Sequence, residues 1–138
     1  MKRKLLICVQ RDITNQISWA LKELDSISVQ MVDRLYQLEK IFEDNPTFPA
    51  LVIDSFLDGQ STIPFLKKIR EKNINIKILL IISQDTPKQE VVTLIQNRLV
   101  DNVIIRPFNA NQIVDAVSKI FGIQRFSEKP WYMYVKKD

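Results

Sequence analysis

The stretch Pro49-Ala50-Leu51-Val52-Ile53-Asp54-Ser55 decides the fold. A short apolar run, entered through a proline and left through a carboxylate, reads as a strand buried on both faces, as strands of parallel sheets are. In an open α/β sheet, ligands and chemistry collect at the carboxyl ends of the strands. Asp54 is therefore expected at the mouth of such a sheet. There an aspartate either bonds nearby backbone amides or does chemistry.

Working outward, similar runs recur with helical patterns between them. Residues 4–9 (KLLICV) read as a first buried strand, with Gln10, Arg11 and Asp12 at its end. Ile13, Ile17, Ala20, Leu21 and Leu24 then recur at helical spacing, predicting a helix over 13–25 with Trp19 off its apolar stripe. Residues 27–32 (ISVQMV) predict a second strand with Ile27, Val29 and Met31 on one face. Asp33 is placed to cap a second helix whose apolar face is Leu35, Leu38, Ile41 and Phe42, ended by Asn45-Pro46. Past Asp54 the segment Leu57-Asp58-Gly59 reads as a loop. Ser61 or Thr62 is expected to cap a third helix, with Pro64 in its first turn and Phe65, Leu66 and Ile69 inside.

The strongest strand signal, residues 75–83, ends in the hydroxyl of Ser83. Val91, Val92, Ile95 and Leu99 mark a fourth helix. Val103-Ile104-Ile105 is a short fifth strand leading to Arg106-Pro107-Phe108. Asn109 with Gln112 three residues on forms a capping-box start for a fifth helix, lined by Ile113, Ala116, Val117 and Ile120 and stopped by Gly122. The alternation predicts an α/β fold: (βα)5, a doubly wound five-stranded parallel sheet with helices on both faces. Residues 1–123 make one domain. Residues 124–138 form an aromatic and basic tail (Phe126, Trp131, Tyr132, Tyr134) or the start of a linker.

Composition narrows the function. The chain has 138 residues, a net charge of +4, one cysteine and no histidine. Without histidine there is neither a His-based metal site nor a His-dependent triad. Cys8 lies in an apolar run and reads as a buried, inert thiol. The positive charge sits at the ends: residues 1–4 carry +3 and residues 124–138 carry +2, leaving the body near −1. No basic stripe for nucleic acid is left on the domain. No apolar run is long enough for a membrane helix, and residues 5–9 are too short for a signal-peptide core, so a cytoplasmic protein is expected. The only glycines, Gly59 and Gly122, form no Gly-rich phosphate loop, which argues against a small-molecule or dinucleotide binder.

The strand ends collect Gln10, Arg11, Asp12, Asp54, Ser83 and Arg106. A carboxylate nucleophile with a hydroxyl and a cation to hold phosphoryl oxygens is the equipment of a phosphoryl-accepting site. Over residues 4–121 the chain resembles the receiver domains of bacterial two-component response regulators, a flavodoxin-like fold. The resemblance rests on the (βα)5 order and on Leu51-Val52-Ile53-Asp54, Phe65-Leu66-Lys67-Lys68-Ile69-Arg70, Ile81-Ile82-Ser83 and Arg106-Pro107-Phe108-Asn109. It implies Asp54 as phosphoacceptor, Ser83 and Arg106 as its helpers, a histidine kinase or other signalling protein as partner, and a homodimer as one form of assembly. It also implies Mg²⁺, held by Asp54 and acids after the first strand.

The departures from that pattern fall on the metal. Gln10 and Arg11 stand where the family carries adjacent acids, and Asp12 is one place late. Mg²⁺ wants oxygen ligands, so a site of Asp12 and Asp54 is weak or lost. Arg106 replaces the family's lysine, Gln84 is bulkier than the usual small residue, and Val103 replaces the switch aromatic. The expected function is phosphorelay signalling by a pseudo-receiver acting through protein–protein contacts, with an Arg11–Asp54 ion pair fixing one state. The alternative is a working receiver in which Asp54 takes a phosphoryl group.

Overall fold

A computed structural model of the chain describes residues 2–73 and 75–123. The elements are β1 (Arg3–Cys8), α1 (Arg11–Leu21), β2 (Ile27–Val32), α2 (Leu35–Asp44), β3 (Ala50–Asp54), β4 (Phe56–Leu57), β5 (Gln60–Ser61), α3 (Ile63–Lys72), β6 (Lys77–Ile82), α4 (Lys88–Gln96), β7 (Asn102–Ile105) and α5 (Ala110–Phe121). The main sheet has five parallel strands in the order β2-β1-β3-β6-β7, with β3 at its centre. All five residues of β3 are buried, as its unbroken apolar run requires.

Helices cover both faces and divide the core in two. One half joins alternate residues of β1 and β3, such as Leu5, Ile7 and Val52, to α1 and α5. The other joins Leu6, Cys8, Leu51 and Ile53 to Leu38 of α2, Leu66 and Ile69 of α3 and Leu94 of α4. Successive strand residues thus point to opposite layers. Register aligns the strand ends: Cys8 lies beside Ile53, Asp54 beside Ile81, and Ile82 beside Ile105. That alignment brings Gln10, Asp54, Ser83 and Arg106 to one rim.

Several local expectations are met. Asn109 Oδ1 accepts from the Gln112 amide at 2.9 Å, and Gln112 Oε1 accepts from the Asn109 amide at 2.8 Å, completing the capping box. Gly122 ends α5 at φ 69°, a left-handed cap open to glycine at little cost. Trp19 is exposed, with the Lys22 ammonium over its ring at 4.6 Å.

Others are corrected. Asp33 does not cap α2; Gln37 Oε1 reaches back to accept from the Asp33 and Arg34 amides, both at 3.2 Å, and leaves the Asp33 carboxylate to Arg11. The segment read as a plain loop is a small antiparallel hairpin, β4 with β5, turned by Asp58 (φ 54°) and Gly59 (φ 77°). Positive φ at both central residues is the geometry that Asp-Gly favours in two-residue hairpin turns. Helix α4 turns a different face inward: Leu94 is buried, whereas Val92 and Ile95 are exposed. Val29 on β2 is also exposed, because β2 lies at the edge of the sheet. The 124–138 tail and its aromatic residues lie outside the described residues.

Candidate functional site

Asp54 ends β3 with only 2% of its surface exposed. A buried carboxylate must find hydrogen-bond donors close by. The Gln10 amide donates to Asp54 Oδ2 at 2.7 Å, placed there because β1 ends next to β3. Arg106 follows β7 and donates through Nη2 to both carboxylate oxygens, at 3.2 and 3.1 Å. The backbone carbonyl of Asp54 accepts from the buried Thr62 hydroxyl at 2.7 Å, which ties the strand end to the start of α3.

The same guanidinium holds a second carboxylate. Arg106 Nη1 donates to Asp12 Oδ2 at 3.0 Å, so one side chain spans Asp12 on α1 and Asp54 on β3. Its side chain is 24% exposed and that of Asp12 is 63% exposed, so the bridge runs from the buried floor of the rim to its solvated lip. Burial pushes the Asp54 carboxyl above the ordinary carboxylate range, against the downward pull of the Gln10 amide and of Arg106. Burial also works against the Arg106 charge, but hydrogen bonding to Asp12 and the Asp54 carboxylate outweigh it and raise its pKa. Arg106 is therefore a permanent cation.

Arg11 is not the partner of Asp54. Its Nε pairs with Asp33 Oδ2 at the end of β2, on the far side of β1 from Asp54. The ion pair expected from Arg11 is made instead by Arg106, because Arg11 opens α1 as a largely exposed side chain. A third arginine completes the rim: Arg34 pairs with Asp58 at 2.7 Å, and Asp58 Oδ2 also accepts from the Leu35 amide at 3.4 Å. The carboxylates of Asp12, Asp33, Asp54 and Asp58 are all engaged by arginines.

Ser83 lies just past β6, exposed, with its hydroxyl 3.5 Å from that of Thr86. It stands at the rim expected of it, but its contact is with the following turn. Sequence reasoning missed Thr62, Asp58 and Asp33 as rim residues. Asp-Gly, flanked by Phe-Leu and Gln-Ser, was the available signal for Asp58.

The residues present do not fit magnesium. Among the described residues no three of His, Cys, Asp and Glu converge to hold a metal ion. Asp12 and Asp54 share a guanidinium at hydrogen-bond distance, which puts a fixed positive charge where a dication would have to enter. Cys8 lies beneath the rim, fully buried, its thiol pushed up to about 12 by burial and by the nearby carboxylates of Asp54, Asp58 and Asp33. That makes it inert, as its apolar setting suggests.

No protein-family model matches the chain, and no curated protein matches it. Solved structures do. A response regulator receiver protein from Burkholderia phymatum superposes with a TM-score of 0.74 at 13% identity, covering 91% of this chain and 99% of its own. A two-component response regulator from Clostridium difficile gives 0.70 at 20% identity, covering 88% and 97%. The response regulator DrrB of Thermotoga maritima, an OmpR/PhoB homolog, gives 0.71 at 20% identity, covering 88% of this chain and 54% of DrrB. At these identities the likeness concerns architecture, and the five-stranded parallel sheet with its five helices agrees with it. The chain has the flavodoxin-like fold of response regulator receiver domains.

Proposed function

We propose that this chain is a signalling module of two-component type that works by docking protein partners and is not an efficient phosphoacceptor. One observation carries the reading: the Asp54 carboxylate is already engaged, by Arg106 on both oxygens and by the Gln10 amide on one. To attack phosphorus, an Asp54 oxygen needs an available lone pair and a positioned countercharge for the transferred group. Here the countercharge is hydrogen-bonded to the nucleophile itself, and Asp12 is held by the same guanidinium.

A surface for docking supports this reading. Val92 and Ile95 of α4 and Ile105 of the edge strand β7 are exposed apolar side chains. Gln89, Glu90 and Gln96 flank them on α4, Arg98 follows that helix, and Asn111 and Asp115 lie on α5. Exposed apolar side chains among mixed polar neighbours are the usual composition of a protein contact. A histidine kinase or another signalling protein is the partner this face suits. Assembly as a homodimer belongs to the same proposal.

The working-phosphoacceptor reading has one observation in its favour. Asp54 is at the end of the central strand, with Arg106 close enough to follow a transferred phosphoryl group. In that reaction an Asp54 oxygen forms a bond to phosphorus. The N–P bond of a phosphohistidine breaks, and its electron pair returns to the imidazole.

A ¹⁵N–¹H correlation spectrum recorded with Mg²⁺ and then with beryllofluoride separates the two readings. The docking reading predicts no site-specific shifts in the wild type. Shifts spreading from Asp54, Ser83 and Arg106, and absent in Asp54→Ala, would establish the working phosphoacceptor.

A further inference from the structure

Asp12 and Asp54 come from different elements and converge on the two terminal nitrogens of one guanidinium. Two carboxylates brought this close repel each other unless a cation lies between them. In this protein that cation is covalently attached, delivered by the residue that follows β7. The neighbouring rim carboxylates are served in the same way, Asp33 by Arg11 and Asp58 by Arg34. The strand-end rim thus meets its carboxylates with guanidinium groups throughout.

We infer that Arg106 is a resident counter-cation that closes the Asp12–Asp54 site to divalent metals, so that this one residue decides whether the rim responds to them. The inference deepens the docking reading and rests on it for the site concerned. A dication entering between Asp12 and Asp54 must displace the guanidinium from both carboxylates or accept a like charge at contact distance. Arg106 cannot yield by losing its proton, because arginine remains charged in proteins. Leaving the rim would strip the buried Asp54 of its ionic partner, and only the Gln10 amide would remain on its carboxylate.

The test uses Mn²⁺ as a paramagnetic probe of the full chain at neutral pH. Mn²⁺ is titrated into the wild type, Arg106→Met and Arg106→Gln, each with and without Asp54→Asn. Two replacements are used because one of them could repack poorly; the core amides of β1 and β3 report whether each variant is folded. The inference predicts no selective broadening of the amides of residues 10–12 and 54–55 in the wild type at millimolar Mn²⁺. It predicts clear broadening in the folded Arg106 variants, an affinity gain of about tenfold or more, cancelled by Asp54→Asn. Equal binding in the wild type, or none in a folded Arg106 variant, overturns it. A wild type that binds Mn²⁺ yet ignores beryllofluoride would sink this inference and leave the docking reading standing. A wild type that responds to beryllofluoride would sink the docking reading, whatever the Arg106 variants bind.

Discussion

Two aspartates at strand ends on either side of β1 have opposite fates. Asp54 ends β3 and pairs with Arg106; Asp33 follows β2 and pairs with Arg11. The Asp33 carboxyl is held below the ordinary carboxylate range, first by its hydrogen bond to Arg11. The Asp54 carboxyl is pushed above that range, first by burial, although it too has an arginine and a backbone donor. The two side chains are 3% and 26% exposed, and that difference decides the sign. An arginine partner lowers a carboxyl only when it contributes more than burial takes away. At the centre of the sheet it does not; at the edge it does.

Substitution should cost most on the buried side. Arg106→Ala leaves the Asp54 carboxylate with the Gln10 amide alone. The expected loss is about 2–3 kcal/mol at neutral pH, below the ~3–5 typical when a fully buried pair is broken, since Arg106 is partly exposed. The deficit should shrink as pH falls and Asp54 takes up a proton. Urea denaturation at pH 7.5 and pH 5 measures both, and a deficit that grows at the lower pH would contradict the assignment.

Asp54→Asn should matter much less, changing stability at neutral pH by about 1 kcal/mol or less. The amide oxygen can still accept from Gln10, and a costly buried charge is removed. The sign with pH follows from the raised carboxyl. Stability from Asp54 is full below its unfolded value and declines as pH rises through the native one. Asp54→Asn should abolish that decline and gain on the wild type as pH rises from the acid range. A variant that loses on the wild type over that range would show the native carboxyl to be depressed.

Asp33→Asn is the exposed control. Its native carboxyl is lowered, so its stabilisation is present above the unfolded value and is lost as pH falls through the native one. The pair is screened by salt, and the denaturation midpoint should barely move at 0.15 M salt. A loss comparable to that of Arg106→Ala would erase the distinction between centre and edge.

The smallest effect is on Cys8, packed under the same rim. With its pKa at about 12 and no exposed surface, it should resist a thiol reagent at neutral pH and react only through opening of the fold. Arg106→Ala should speed that reaction by the factor by which it raises the population of the open form. Fast labelling of the native wild type would mean that the rim is open.

The centre of the molecule was legible in the sequence because burial on both faces leaves an unambiguous record. Residues 51–53 and 78–82 can be little other than buried strands, and placing Asp54, Ser83 and Arg106 at one rim follows from parallel order. The edges were harder. On α4, both the Val92–Ile95 and the Val91–Leu94 spacings suit a helix; the structure buries Leu94, and Leu99 re-enters the core after Arg98 at φ 59°. Partner choice at the rim was not legible. Arg11 lies nearer to Asp54 in the alignment of strand ends, but it opens α1 and turns outward, whereas Arg106 comes from the opposite edge strand and reaches inward. Such a preference is set by side-chain direction in three dimensions, which spacing along the chain does not carry.

On the docking reading Asp54 is occupied by Arg106 and is not available to a metal and a phosphoryl group. The most direct measurement is a crystal structure of the wild type grown in millimolar Mg²⁺. The Arg106 guanidinium is expected in contact with both Asp54 oxygens and with Asp12, as here at 3.0–3.2 Å. A hydrated Mg²⁺ between Asp12 and Asp54, with Arg106 turned away to solvent, would contradict it.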